Sequence, residues 1–455
     1  IMTKICFCGI SGNGMSPLAQ IMSLKGCEVY GSDRNFDAGR DGKNRQALLN
    51  MNIKLVSQDG SGITADTETV YVSAALDENN PDIKAARALN IPVKQRSDLL
   101  AEVFHGYPFG IAVGGTSGKT TTTAMIGYIF DMLGQKPCLV NGGMLRNYEQ
   151  LKGLPNFIYN EGRFCIIEAD ESDGSICKYH PQIALVNNIS HDHTSMENLI
   201  GYFQTFADNT KGTLVVNGDC ELTRNLKHDR KTTFSVKDPA ADFFADGIKC
   251  LPDGVEYNFR GQTFRLNLFG AFNVSNALAA IAVCAETGLD PLAAAKTLEG
   301  FSGIKRRLEI VGTTGRGITL IDDFAHNPSK IASSLSALKE YPRRLLVMYQ
   351  SHSPFSAFNT GSEVAAEVAR VLGPDDIFVM PEVYMLDKNV DKGISAANIV
   401  DAVRKNGHNN AYFLDTRENV HKFILENAKD GDCVVIMGAR DNSLPDFSRQ
   451  LLTEL

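Results

Sequence analysis

The chain has 455 residues, too many for one hydrophobic core, so two or three domains are expected. Apolar residues make up 43% and charged residues 22%, as in ordinary globular proteins, and the net charge of −8 argues against nucleic acid as a partner. No apolar run reaches the ~20 residues of a membrane span, so no membrane partner is expected either.

The first 108 residues read as a small doubly wound α/β domain. Lys4–Cys8 is an apolar strand, residues 9–14 form a glycine-rich turn, and Met15–Lys25 has a helical pattern. Cys27–Tyr30 and Thr69–Ser73 read as further strands and Asn80–Leu89 as a helix. The opening strand pattern lacks a charged n-region and a cleavage site, so no export signal and a cytoplasmic location are expected. The ten cysteines lack metal-ligand spacing and read as reduced, mostly buried thiols.

A second domain is expected over 109–307. Phe109–Val113 is a strand that runs into Gly114-Gly-Thr-Ser-Gly-Lys-Thr-Thr-Thr-Thr123, and Thr120–Leu133 reads as a helix. Phe164–Glu168 and Ile183–Asn187 are continuous apolar runs suited to central parallel strands. The stretch 231–267 alternates, as in Gly254–Arg260, and suggests an antiparallel appendage; Asn273–Glu286 is an alanine-rich helix. The third domain, 308–455, alternates strands at 317–321, 344–349, 376–379, 411–414 and 433–437 with helices at 328–340, 360–371, 395–405 and 417–428. The fold class expected is therefore α/β in three domains: a Rossmann-like N-terminal domain, a central P-loop ATPase domain and a C-terminal Rossmann-like domain.

The strand–turn–helix around Gly115, Thr116, Ser117, Gly118, Lys119, Thr120 and Thr121 has the residues of a phosphate cradle. Its two glycines let backbone N–H groups face an anion, Lys119 supplies charge to the outer phosphates, and the Thr120 hydroxyl suits Mg²⁺. Val113 stands where the usual pattern has its first glycine. The rival reading is a glycine-rich turn that caps a helix. Gly9, Gly12 and Gly14 make a second turn between strand and helix, with Asp33 at the end of the next strand. NAD binding, nucleotide-sugar binding and a bare structural turn all fit that pattern.

Glu168, Asp170, Glu171 and Asp173 crowd one strand end, where carboxylates repel unless a cation sits among them; a solvated acidic loop is the alternative. His191-Asp192-His193 follows the next strand, and both loops belong to the sheet edge that carries the phosphate loop. Lys119, Thr120, Glu168 and His193 are thus expected to converge on a Mg-nucleotide. Asn273 and Asn276 open the alanine-rich helix, where caps are also common. Lys305-Arg306-Arg307 is a charge run or a phosphate clamp in a linker, and Asp322-Asp323-Phe-Ala-His326-Asn-Pro328 closes a strand against a helix.

Taken in order, these segments resemble the Mur ligase family of peptidoglycan synthesis over the whole chain. The matching stretches are Gly9-Ile-Ser-Gly-Asn-Gly-Met15, Val72-Ser-Ala-Ala75 with Asn80-Pro81, Gly115–Thr123, Glu168–Asp173, Asn188-Ile189 with Asp192-His193, Asn273 with Asn276, Arg306-Arg307, and Asp322–His326. The resemblance implies an ATP-dependent, amide-forming ligase with ATP and Mg²⁺ as cofactors and UDP-N-acetylmuramate plus an amino acid or short peptide as substrates. Addition of L-alanine is the leading branch; murein-peptide recycling, or another amino acid, is the alternative. A monomer or homodimer is implied.

The resemblance also implies roles. Lys119 holds the β- and γ-phosphates; Thr120, Glu168, Glu171 and His193 serve the metal; Asn273 and Asn276 hold the adenine side. Arg307 and Asp323 engage ATP on closure, and Gly12, Asn13, Gly14, Met15, Asp33 and Ser73 hold the UDP part. Two positions depart from the alanine-adding pattern. Gln350-Ser-His352-Ser353 stands for Gln-Pro-His-Arg, which keeps His352 and loses the guanidinium expected on the amino acid's carboxylate. Phe272 stands for a His before Asn273.

Overall fold

The computed structural model describes residues 3–73, 76–190, 195–352, 354–384, 395–439 and 441–455. The chain divides into two compact units. One comprises Ile1–Gly247, Tyr257–Phe264 and Val274–Ser302; the other comprises Ile248–Glu256, Arg265–Asn273 and Gly303–Leu455.

In the first unit, Lys4–Cys8 is the middle strand of a five-stranded sheet ordered Lys54–Val56, Glu28–Ser32, Lys4–Cys8, Thr69–Val72, Val93–Gln95. Every pairing is parallel, with Ile5 opposite both Val29 and Thr69. The run forms here because all five of its residues are apolar enough, or have a partner, to be buried on both faces. The order of connections reverses between Lys4–Cys8 and Thr69–Val72, which opens a crevice at the carboxyl ends of those two strands. The 9–15 turn and Ser73 lie at that crevice. Gly9 turns the chain at φ +78°, and its N–H and that of Ile10 donate to the Ser32 carbonyl.

The central sheet of the same unit places Phe109–Gly114 between Ile183–Val186 and Phe164–Glu168, all parallel. Ile111, Ala112 and Val113 are fully buried, as a continuous apolar run requires. Cys138–Val140 pairs with Phe164–Glu168 on one side, and Thr213–Asn217 continues the sheet beyond Ile183–Val186. The carboxyl ends of these strands therefore gather the phosphate loop, Asn141-Gly142, Glu168 and Asn187-Asn188. The expected antiparallel appendage over 231–267 needs correction at its first strand: Lys231–Ser235 lies parallel to Thr213–Asn217 and to Phe243-Phe244, because its Thr and Phe residues bury on the sheet as a further ladder strand.

One apolar core runs from Phe7 and Leu18 through Phe104 to Ala112 and Ile167. A buried polar network crosses the same region. Gln20 Nε2 donates to Asn156 Oδ1 (3.2 Å), Leu154 N donates to Gln20 Oε1 (2.7 Å), and Asn156 Nδ2 donates to Ser16 Oγ (2.8 Å). Because Gln20 and Asn156 are wholly buried, these bonds hold the helix Ser16–Leu24, and with it the glycine turn, in one place against the central sheet.

The second unit holds a six-stranded sheet ordered Glu309–Thr313, Thr319–Asp323, Cys433–Gly438, Leu345–Gln350, Ile377–Met380, Ala411–Phe413. Only the Glu309–Thr313 edge is antiparallel. The helix expected from 360 starts at Pro354, since Pro at the first helical position supplies the right φ and needs no N–H partner.

Candidate active site

The phosphate loop is shaped by two glycines with positive φ, Gly115 at +134° and Gly118 at +81°. Both positions are tight for a Cβ. At Gly118 it would stand 2.7 Å from Asn276 Oδ1 and 2.9 Å from Asn187 Nδ2; at Gly115 it would stand 3.0 Å from Asn187 Cβ. Asn188 holds the loop from the neighbouring strand end. Its Oδ1 accepts from Thr116 Oγ1 (2.8 Å) and Ser117 N (2.9 Å), its Nδ2 donates to Ser117 O (3.1 Å), and its carbonyl accepts from Thr116 N (3.1 Å). The helix Lys119–Met132 then begins with its N-terminus toward the loop, a favourable end for an anion.

The acidic strand end is not a free cluster. Lys119 Nζ donates to Glu171 Oε1 (2.9 Å), to Glu171 Oε2 (2.8 Å) and to the Gly115 carbonyl (2.7 Å). The Glu171 side chain is 3% exposed, and burial holds its pKa above the ordinary carboxylate value although Lys119 opposes the shift. Glu168 Oε2 accepts from Thr120 Oγ1 (3.0 Å) and its Oε1 accepts from Gly142 N (2.5 Å). Burial also pushes Asp170 upward, but the Ser172 N–H and the charges of Lys119 and Arg96 outweigh it, and its carboxyl ends below the usual range. Asp170 Oδ1 and Asp173 Oδ1 each close a local turn, accepting from Ser172 N and Ser175 N. The Thr120 hydroxyl and the Glu168 carboxylate side by side form a hard oxygen donor pair that fits Mg²⁺, an ion that takes few protein ligands. His193 lies outside the described residues.

A cavity of about 320 Å³ joins the two halves of this unit. Gly12, Asn13, Gly14, Met15 and Ser73 line one side; Lys119, Glu168 and Asp170 line the other. Asp33 stands behind the turn rather than in the cavity. It is 5% exposed, its Oδ2 accepts from Ser11 N (3.0 Å) and Ser11 Oγ (2.6 Å), and its Oδ1 accepts from Asn35 N. The cavity also takes in Arg96, Leu100, Val140, Asn141 and Gly142, which the sequence reading passed over. Asn141 is 1% exposed; its Nδ2 donates to the Gly143 carbonyl and its Oδ1 has no bond among the described residues. No local signal marks these residues, because only the sheet order brings them together.

Of the expected nucleotide residues further along the chain, Asn276 stands against Gly118. Asn273 Nδ2 donates to the Phe269 carbonyl (2.7 Å), a local bond at the helix start. In the second unit, Asp323 is 5% exposed, and its Oδ1 accepts from Leu308 N (3.2 Å), just after Arg307. Arg306 and Leu308, on either side of Arg307, both have positive φ (57° and 46°), so Asp323 steadies a strained turn. Arg306 Nε donates to Asp322 Oδ1 (3.1 Å) and its Nη2 to Gly438 O (2.6 Å). His352 is 7% exposed, with its ring edge-on to His326 at 5.6 Å. Ser353 lies outside the described residues. The neighbouring Gln350 meets a guanidinium from elsewhere: Arg417 Nη2 donates to Gln350 Oε1 (3.3 Å) and pairs with Asp441.

Three family models match the chain in succession: Mur ligase family, catalytic domain, over 4–108; Mur ligase middle domain over 113–284; and Mur ligase, glutamate ligase domain, over 306–440. UDP-N-acetylmuramate–L-alanine ligase of Solibacter usitatus is 32% identical over 447 residues, 95% of this chain and 92% of the relative. The enzyme of the same name from Dictyoglomus turgidum is 32% identical over 452 residues, covering 96% and 94%. Among solved structures, UDP-N-acetylmuramate–alanine ligase of Thermotoga maritima superposes with a TM-score of 0.81 at 27% identity, over 99% of this chain and 98% of its own. A murein peptide ligase from Psychrobacter arcticus shares the fold at a TM-score of 0.65 and 22% identity, over 99% and 98%.

Proposed function

The chain belongs to the Mur ligase family, and from that membership we propose that it joins L-alanine to UDP-N-acetylmuramate at the expense of ATP. The observation that carries the reading is the single cavity lined on one side by the glycine turn and on the other by Lys119 and Glu168. A nucleotide-linked acid held by the turn presents its carboxylate toward the phosphate loop.

A carboxylate is a poor electrophile, so it must first gain a leaving group. One carboxylate oxygen attacks the γ-phosphorus of ATP, ADP departs, and an acyl phosphate results. The amine of the second substrate then attacks the carbonyl carbon; phosphate leaves with the bonding electrons and the amine gives up its proton. In this reading Gly115, Thr116, Ser117, Gly118 and Thr121 cradle the phosphates, and Lys119 meets the charge that gathers on the transferred group. Asn276 and Asn273 serve the nucleoside side, and Arg307 and Asp323 come from the second unit. Gly12, Asn13, Gly14, Met15 and Ser73 receive the UDP part, while Asp33 holds the turn in shape from behind. Thr120 and Glu168, with His193, would hold Mg²⁺, and Glu171 would join them when released from Lys119. When bound, the ion would neutralise phosphate charge and polarise the γ-phosphoryl group.

One observation favours a second reading, in which the amine belongs to a peptide: Ser353 stands where the alanine-adding pattern has an arginine. Phosphate release from ATP with UDP-N-acetylmuramate and Mg²⁺ separates the two. Release that requires L-alanine supports the first reading. Release only with L-alanyl-γ-D-glutamyl-meso-diaminopimelate supports the second. No release with L-alanine, L-serine, glycine or the tripeptide overturns both.

A further inference from the structure

Arg96 opens the helix Arg96–His105, which follows the edge strand Val93–Gln95 of the first sheet. The nearest acid on its own helix, Asp98, is committed elsewhere: it accepts from Gln95 N (3.0 Å) and from Lys178 Nζ (2.6 Å). Among the described residues no hydrogen bond or ion pair holds the Arg96 guanidinium, whose charge acts across the cavity on the Asp170 carboxylate. The side chain lies instead along the glycine turn. A Cβ on Gly14 would stand 2.8 Å from Arg96 Cδ, 3.2 Å from Nε and 3.3 Å from Nη1, so the absence of a side chain at 14 is what lets the guanidinium lie there.

The turn has spare donors of its own. The N–H groups of Gly12, Met15 and Ser16 are used within it, to Gly9 O, Gly12 O and Gly12 O, whereas those of Asn13 and Gly14 donate to nothing among the described residues. The helix Ser16–Leu24 starts immediately after, with Met15 at its cap. Two unspent N–H groups, a helix N-terminus and a guanidinium with no hydrogen-bonded partner among the described residues thus border one cavity. Three donors on one side of a cavity are complementary to an oxyanion with several acceptor oxygens, and a guanidinium binds two such oxygens at once.

Resting on the function proposed above, we propose that Arg96 clamps the diphosphate of the nucleotide-linked substrate onto the Asn13-Gly14 turn. Gly14 is then the partner residue that keeps its seat open. The carboxylate to be activated lies beyond the clamp, on the Lys119 side.

The test uses the full chain and isothermal titration with three probes: UDP-N-acetylmuramate, UDP-N-acetylglucosamine, which keeps the diphosphate and lacks the lactyl carboxylate, and uridine. Arg96→Ala is expected to weaken both UDP-sugars by the same factor, roughly 10- to 100-fold, a loss of one charge-assisted bidentate contact. Arg96→Lys should recover part of this, uridine binding should not change, and ATP affinity should stay within about twofold. Gly14→Ala should reproduce the Arg96→Ala loss, because the new methyl displaces the guanidinium while leaving it in the chain. A loss confined to UDP-N-acetylmuramate overturns the assignment in favour of a carboxylate grip. Unchanged affinities, or an equal loss of ATP, overturn it as well. A wild-type chain that binds neither UDP-sugar overturns the proposed function and this inference together, whereas tight wild-type binding with an indifferent Arg96→Ala overturns this inference alone.

Discussion

Lys119 Nζ lies 2.9 and 2.8 Å from the two carboxylate oxygens of Glu171, so the lysine of the phosphate loop is neutralised by the protein's own buried acid. An arriving triphosphate competes with Glu171 for that ammonium. Glu171→Gln keeps the shape and removes the competing charge, and affinity for ATP without Mg²⁺, where Glu171 has no ion to serve, is expected to rise ~3- to 10-fold, about 1 kcal/mol. Weaker ATP binding in a titration would show instead that Glu171 serves the nucleotide-bound state. Lys119→Ala is expected to lower phosphate release at least ~100-fold, the usual scale for one lost charge at a phosphoryl transfer site.

Gly118 and Asn276 are packed so closely that they form one test. Gly118→Ala forces a side chain into φ +81°, at a cost of about 1–2 kcal/mol, and drives the methyl into Asn276 Oδ1. Removing the amide as well, in Gly118→Ala with Asn276→Ala, relieves that collision and leaves the backbone cost and the close approach to Asn187 Nδ2. Thermal unfolding of the two singles and the double should therefore show a favourable coupling. Strict additivity would contradict the contact.

Asn188 makes four side-chain hydrogen bonds to Thr116 and Ser117, at 2.8, 2.9, 3.1 and 3.2 Å. Asn188→Ala frees the loop without touching a phosphate. ATP affinity should fall roughly 10- to 100-fold, from about 0.5–1.5 kcal/mol per bond, with UDP-sugar affinity unchanged. A parallel loss of both ligands would mean that the loop supports the whole cavity.

Asp322 is pushed up from 3.8 to about 6, first by burial, with Arg306 opposing the shift. Between those values the folded chain holds a proton that the unfolded chain has released. Its contribution to stability is full below the ordinary carboxylate value and is lost as pH rises toward 6. The carboxyl carbon of Asp322, followed by NMR, should titrate near 6, and Asp322→Asn should flatten the decline in unfolding free energy over that window. A midpoint at or below 4 would sink the idea.

Much of the fold was legible wherever burial on both faces leaves an unbroken apolar run. Lys4–Cys8 and Phe164–Glu168 have the bounds that their composition suggests. The short strands Lys54–Val56 and Val93–Gln95 were missed because edge strands of three residues carry Lys and Gln and no clear period. The parallel pairing of Lys231–Ser235 was missed because its alternation matches a two-faced strand of either direction. The reading of the Glu168–Asp173 run as a cation site was half informative: it marked the strand end but not that Lys119 already answers Glu171.

The sequence by itself determined the strand–glycine–helix units, since a positive φ, a helix start and an apolar run are local properties of neighbouring residues. Only the tertiary structure decided that Arg96 lies over Gly14, that Asn188 holds Ser117, and that Glu171 neutralises Lys119. Those contacts join residues 52 to 82 positions apart, and they follow from sheet orders in which Lys4–Cys8 and Phe109–Gly114 take central places between strands distant in the chain. Local periodicity shows which residues enter a strand, but the neighbour of that strand is selected by the packing of the whole sheet.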